Sequence, residues 1–126
     1  MKALVIDDNI VSAKDLTRKL EYCGVEVITF FSGEDGLSSY QTSAEGEYDI
    51  IFLDIMMPEK KGTEISASIR ALEREDAKKI PIIAVTGINY DAVNRAMDVS
   101  GFDALLQKPI NVDVLGHLVD SVKEKK

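Results

Sequence analysis

One cysteine, Cys23, has nothing to pair with inside a chain of 126 residues, so no disulfide framework can hold the fold. Tryptophan is absent, aromatic residues amount to 6% and prolines number three, which excludes collagenous and proline-rich low-complexity chains. Basic residues are in deficit, 15 Lys and Arg against 22 Asp and Glu, for a formal net charge of -7 and a sequence pI near 4.7. Nucleic-acid affinity depends on Lys and Arg displacing phosphate counterions, so no direct nucleic-acid partner is expected. Long hydrophobic runs are also missing. The first, Ala3 to Ile6, stops at Asp7 and Asp8, far short of a signal peptide or a membrane span. The expectation is a cytoplasmic protein without membrane contact. Lys123, Lys125 and Lys126 fit a complement to a helix dipole better than a lipid contact.

Hydrophobic residues make up 45% of the chain and charged residues 29%, the balance of a soluble globular protein. Residues 1–126 have room for one domain, which at this size buries roughly two thirds of its unfolded surface and needs no structural metal. Five short apolar runs recur: Ala3–Ile6, Val25–Phe30, Ile50–Leu53, Ile82–Val85 and Phe102–Leu106. The first, third and fourth are nearly unbroken, as strands covered on both faces of a parallel sheet must be; the second and fifth alternate, as edge strands do. Helical stripes lie between them: Ala13, Leu16, Leu20 and Cys23; Leu37 and Tyr40; Ile65, Ile69 and Leu72; Ala92, Val93, Ala96 and Met97; and Val114, Leu115, Leu118, Val119 and Val122. Asn9, Ser32, Asn89 and Asn111 stand where N-caps belong, and Ser100-Gly101 reads as a stop. The stretch Gln41–Tyr48 reads as a helix end plus a loop, and Glu73–Lys79 as a charged, exposed segment. Strand and helix alternate five times, which predicts an α/β, doubly wound, five-stranded parallel sheet with five helices in a three-layer sandwich.

In such sheets ligands gather beyond the carboxyl ends of the strands. The predicted ends are Asp7-Asp8, Asp54, Thr86-Gly87 and Lys108-Pro109, which puts three carboxylates, a hydroxyl and an ammonium on one rim. Singly, each has a structural explanation: Asp8 or Asn9 as a cap of the first helix, Asp54 as the start of a turn at Met57-Pro58, Thr86 as a plain strand end and Lys108 as a solvated side chain. Together, three crowded carboxylates drive one another to protonate unless a cation offsets them, and Mg²⁺ with its all-oxygen ligands is the economical choice. That ligand set points to phosphoryl chemistry, with Asp54 as nucleophile, Asp8 and Asp54 holding the ion, and Lys108 and Thr86 meeting the other phosphoryl oxygens.

Four segments, Leu4–Asn9, Tyr48–Pro58, Ile80–Thr86 and Gly101–Pro109, together resemble the receiver (response-regulator) domain of two-component signalling, a likeness covering essentially the entire chain. The resemblance implies a flavodoxin-like strand order 2-1-3-4-5, with Asp54 as phosphoacceptor, Thr86 as switch hydroxyl and Lys108 followed by a cis peptide bond. It further implies Mg²⁺ held by Asp7, Asp8, Asp54 and the backbone carbonyl of Met56, with Asp7 acting directly or through water. The implied partner is a sensor histidine kinase or a histidine phosphotransfer protein. The implied state is a monomer or a phosphorylation-dependent dimer, a substrate and switch more than an enzyme. Whether the domain stands alone or belongs to a larger protein such as a hybrid kinase is left open by composition.

The sequence departs from the family pattern at three points. Leu105 stands where many receivers have Tyr or Phe, so coupling to the surface of the fourth helix, fifth strand and fifth helix is expected to differ. Met56 and Ile88 occupy the positions that tune hydrolysis of the acyl phosphate, and neither can orient water by hydrogen bonding, which implies a long-lived phosphoryl state. Lys60-Lys61 precede Gly62 where a Met and an acidic residue are frequent. His117 has no ligand-type neighbour at i±4 and reads as an exposed or edge-of-core residue; Cys23 reads as core filler. An aspartyl-phosphate hydrolase would need an Asp-x-Asp motif and a cap domain, and a nucleotide-binding module a phosphate-cradling loop where Asp7-Asp8-Asn9 would repel phosphate. The remaining alternative is a receiver-like interaction domain that works without phosphorylation.

Overall fold

A computed structural model describes residues 1–57, 61–96 and 101–125. Pro58, Lys60, Met97, Ser100 and Lys126, which the sequence reading placed in a turn, a departure, a helix stripe, a stop and a basic tail, lie outside the described residues. The elements run β1 (Lys2–Ile6), α1 (Ile10–Tyr22), β2 (Glu26–Phe30), α2 (Gly33–Thr42), β3 (Ile50–Asp54) and α3 (Gly62–Arg70), then α4 (Glu75–Lys79), β4 (Ile82–Thr86), α5 (Tyr90–Ala96), β5 (Ala104–Gln107) and α6 (Val112–Glu124).

All strand pairs are parallel, in the order β2-β1-β3-β4-β5. Side chains alternate across the strands, so one unbroken apolar run feeds two cores. Ala3, Val5, Ile50, Phe52, Ile83 and Val85 face α1 and α6, where Leu16, Leu20, Leu115 and Val119 cover them. Leu4, Ile6, Ile51, Leu53 and Ile82 face Leu37, Tyr40, Ile65 and Ile69 of α2 and α3. Every residue of β3 and β4 is buried, whereas edge strand β2 is buried only in part.

The caps fall where expected. Asn9 accepts from the Ser12 N–H at 3.0 Å, Ser32 from Asp35 at 3.1 Å, Asn89 from Ala92 at 2.8 Å and Asn111 from Asp113 at 2.8 Å. Two details differ from the sequence reading. The charged segment before β4 contains a sixth helix, α4, so the helices predicted fourth and fifth are α5 and α6. Val114, placed in the docking stripe of α6, is 52% exposed, because the buried face of the helix is centred on Leu115, Val119 and Val122, with Leu118 packed beside them. His117 is exposed, and Cys23 is half-buried beside the α1–α6 core.

Candidate functional site

Asp54 ends β3, Thr86 ends β4, Asp7 directly follows β1 and Lys108 directly follows β5. These four strands are consecutive neighbours in the sheet, so one rim receives all four side chains. Carboxylate oxygens of Asp7, Asp8 and Asp54 all lie within 4.8 Å of one another. Asp7 and Asp54 are buried, at 3% and 6% exposure, while Asp8 is exposed and leaves the cluster open to solvent.

Local turns fix the buried carboxylates. Asp7 Oδ1 accepts from the Asn9 N–H at 2.9 Å, and Asp54 Oδ1 accepts from the Met56 N–H at 2.9 Å. The same two-residue pattern recurs at Thr86, whose Oγ1 accepts from the Ile88 N–H at 3.2 Å. The other carboxylate oxygens meet Lys108, whose Nζ stands 2.8 Å from Asp7 Oδ2 and 3.5 Å from Asp54 Oδ2. Burial would lower the Lys108 ammonium, but its contacts with Asp7 and Asp54 outweigh burial and hold it above its usual range. Asp54 moves the opposite way from a paired carboxylate: burial, reinforced by Asp7, pushes it up to about 6 against the opposing pull of the Met56 N–H and Lys108.

Lys108-Pro109 is cis, and the Lys108 N–H donates to the Thr86 carbonyl at 2.7 Å, which joins the ends of β4 and β5. A cleft of about 410 Å³ opens beside Asp7 and Lys108 and runs along α1 past Val11, Asp15 and Arg18. Leu105 pairs in register with Ala84 and, with Phe102, packs against the cluster of Ile55, Ala84 and Val93. The position taken by an aromatic in many receivers is therefore filled by an aliphatic side chain that belongs to a small apolar core.

The structure brings Asp7, Asp8, Asp54, Thr86 and Lys108 to one rim, as the strand-end argument requires. Met56 follows Asp54 by two residues; its side chain is 52% exposed and its N–H holds the Asp54 carboxylate. Sequence reasoning missed the backbone donors at Asn9, Met56 and Ile88. The signal was present, since Asp and Thr bond the N–H two residues ahead in turns of this kind.

A doubly wound parallel sheet carrying a carboxylate cluster and a lysine at its carboxyl rim defines a receiver-type module. The chain belongs to the response regulator receiver domain family, whose model matches residues 3–120. It is 36% identical over 110 residues to hybrid signal transduction histidine kinase L of Dictyostelium discoideum, covering 86% of this chain and 6% of that protein. It is 35% identical over 125 residues to the peroxide stress-activated histidine kinase mak2 of Schizosaccharomyces pombe, covering 97% of this chain and 5% of the kinase. The chain thus spans 5% to 6% of the length of these curated relatives. Among solved structures it is similar to the response regulator TrrA of Thermotoga maritima in complex with Mg²⁺-BeF, with a TM-score of 0.80, 28% identity and coverage of 96% of this chain and 97% of that one.

Proposed function

We propose that this receiver domain accepts a phosphoryl group on Asp54 from a phosphohistidine and, once modified, shifts between two surface conformations. The observation that carries the reading is the seating of Asp54: a buried carboxylate at a strand end, clustered with Asp7 and Asp8 and facing an ammonium at 3.5 Å. An isolated buried carboxylate would be costly, and Lys108 brings one positive charge to two buried carboxylates with Asp8 beside them, an excess of negative charge that favours a further cation.

The donor set is all oxygen and part open to solvent, which suits Mg²⁺; Asp7, Asp8, Asp54 and, by family resemblance, the Met56 carbonyl would hold it. When bound, the ion supplies positive charge against the carboxylates and the transferring phosphoryl oxygens. The rest is done by the chain. The Met56 N–H fixes the rotation of the Asp54 carboxylate, so an oxygen is presented in line to the phosphorus. A new Asp54 O–P bond forms as the P–N bond of the donor breaks, and the imidazole leaves with the electron pair. Lys108 exchanges its contacts with Asp7 and Asp54 for a phosphoryl oxygen, and the Thr86 hydroxyl offers a further partner.

The partner reading rests on the surroundings of the rim. Among the described residues, Ile10, Val11, Phe31, Met56 and Ile88, with Val112 and Val114 at the start of α6, are exposed large hydrophobics in loops or first turns at the carboxyl edge; Tyr22 is the exception, at the far end of α1. An apolar collar around a polar centre fits a sensor histidine kinase or histidine phosphotransfer protein that lays a phosphohistidine-bearing surface over Asp54. The test is transfer from a ³²P-labelled histidine phosphotransfer protein. Label is expected on the parent and absent from Asp54→Asn; label retained by that variant overturns the assignment.

A further inference from the structure

Gly62 opens α3 where the chain returns after the Asp54 strand, and the space around it is closed. A methyl group on its α-carbon would lie 2.6 Å from the backbone oxygen of Asp54 and 2.6 Å from the α-carbon of Ile55, with Ile55 Cγ2 at 3.0 Å. The first two neighbours are main chain, so no change of rotamer relieves them. Either α3 retreats or the end of β3 moves. Conformational freedom is not what glycine supplies here, since positive φ angles occur only at Gly24 and Gly46 among the described residues; the requirement is room.

The end of β3 cannot move piecemeal. The Ile55 N–H donates to the Val85 carbonyl at 3.2 Å, the Met56 N–H to Asp54 Oδ1 at 2.9 Å and the Gly62 N–H to the Ile55 carbonyl at 3.4 Å. Asp54, Ile55 and Met56 therefore shift together, and a shift carries the Asp54 carboxylate relative to Asp7, Asp8 and Lys108, which are fixed beyond β1 and β5. Misplacing reacting atoms by about 1 Å can cost on the order of a hundredfold in rate.

We propose that Gly62 is a positioning residue for the Asp54 reaction: its missing side chain lets the first turn of α3 rest on the acceptor backbone and sets the height of the carboxylate in the rim. The kinetic arm of the test rests on the phosphoacceptor reading; the spectroscopic arm does not.

Gly62→Ala is compared with the parent and with Ile69→Ala, which opens a cavity under the same helix about two turns further along from Gly62. Three quantities are read: melting temperature, the ¹H–¹⁵N position of the Met56 amide, and the rate of Mg²⁺-dependent labelling by saturating acetyl phosphate. Gly62→Ala is expected to displace the Met56 amide and slow labelling about tenfold, while Ile69→Ala melts early yet keeps its rate within about twofold. Adding Ile55→Ala to Gly62→Ala removes only the side-chain neighbour and is expected to leave the defect in place. A folded Gly62→Ala with a parental Met56 amide and parental rate overturns the proposal, and so does rescue by Ile55→Ala. Failure of Gly62→Ala to fold even in trimethylamine N-oxide also overturns it, because the glycine would then serve the fold and not the acceptor's position. If the parent itself takes no label, the phosphoacceptor reading fails, and the Met56 amide still decides the role of Gly62.

Discussion

Asp54 is held between opposing demands, burial and a second carboxylate pushing it toward its neutral form while Lys108 and the Met56 N–H favour its charge. Its position near 6 lies above the unfolded value, so the folded state binds the extra proton. The stabilising contribution is complete below the unfolded pKa, near 3.8, and is lost as pH rises through about 6. In EDTA, Asp54→Asn is therefore expected to be more stable than the parent at pH 7, by about 1 kcal/mol after screening, with the gap narrowing toward pH 4. Thermal melts across that range check it; a gap that widens toward acid would contradict the account. Lys108→Ala removes the ammonium facing Asp7 and Asp54 and is expected to cost about 2 kcal/mol in EDTA. Saturating Mg²⁺ is expected to recover most of that loss, and an equal deficit with and without Mg²⁺ would show that the two cations do not share the site. Met56 and Ile88 sit exposed at the rim without a group that can orient water. Met56→Asn is expected to speed phosphate release several-fold in a phosphate-release assay, and slower release would count against a long-lived phosphoryl state.

At the scale of elements, the carboxyl rim is separate from a brace at the opposite end of the sheet. Arg74, just before α4, donates to the carbonyls of Tyr40 at 2.9 Å, Ser43 at 3.1 Å and Ala44 at 3.1 Å, and to the Asp76 carboxylate at 2.8 Å, with its guanidinium 4.7 Å from the centre of the Tyr40 ring. Glu45 returns the contact by accepting from the Glu75 N–H at 3.0 Å. One side chain thus closes the C-terminus of α2 and anchors α4. Arg74→Ala is expected to lower stability by about 2 kcal/mol while leaving Asp54 labelling at its parental rate, as measured by denaturant unfolding and intact mass. Strands β1, β3 and β4 were legible in the sequence because burial on both faces demands unbroken apolar runs. Helix α4 was not, since its five residues carry no full apolar stripe and Arg74 finds its partners some thirty residues earlier in the chain. The site followed the strands: once their ends were placed, Asp7, Asp54, Thr86 and Lys108 had to share a rim. Gly62 stayed silent, because its value depends on how closely α3 returns to the backbone of β3.

The whole molecule combines a net charge of -7 with an apolar collar around its carboxylate rim. Among the described residues no helix is long and apolar enough to cross a membrane. Val11 is 79% exposed at the mouth of the cleft beside Asp7 and Lys108, so Val11→Asp should leave the fold intact while spoiling the surface offered to a partner. Phosphotransfer from a histidine phosphotransfer protein is expected to fall about tenfold in kcat/KM, with labelling by acetyl phosphate unchanged. Equal loss with both donors would place the defect in the site and not in docking. The most direct measurement is intact mass after incubation with acetyl phosphate, with and without Mg²⁺, beside an Asp54→Asn control. A single phosphoryl group on the parent alone, and only with Mg²⁺, is the predicted result. A folded protein that stays unmodified with acetyl phosphate and with a phosphohistidine donor would contradict the phosphoacceptor account and leave an interaction domain that signals without phosphorylation.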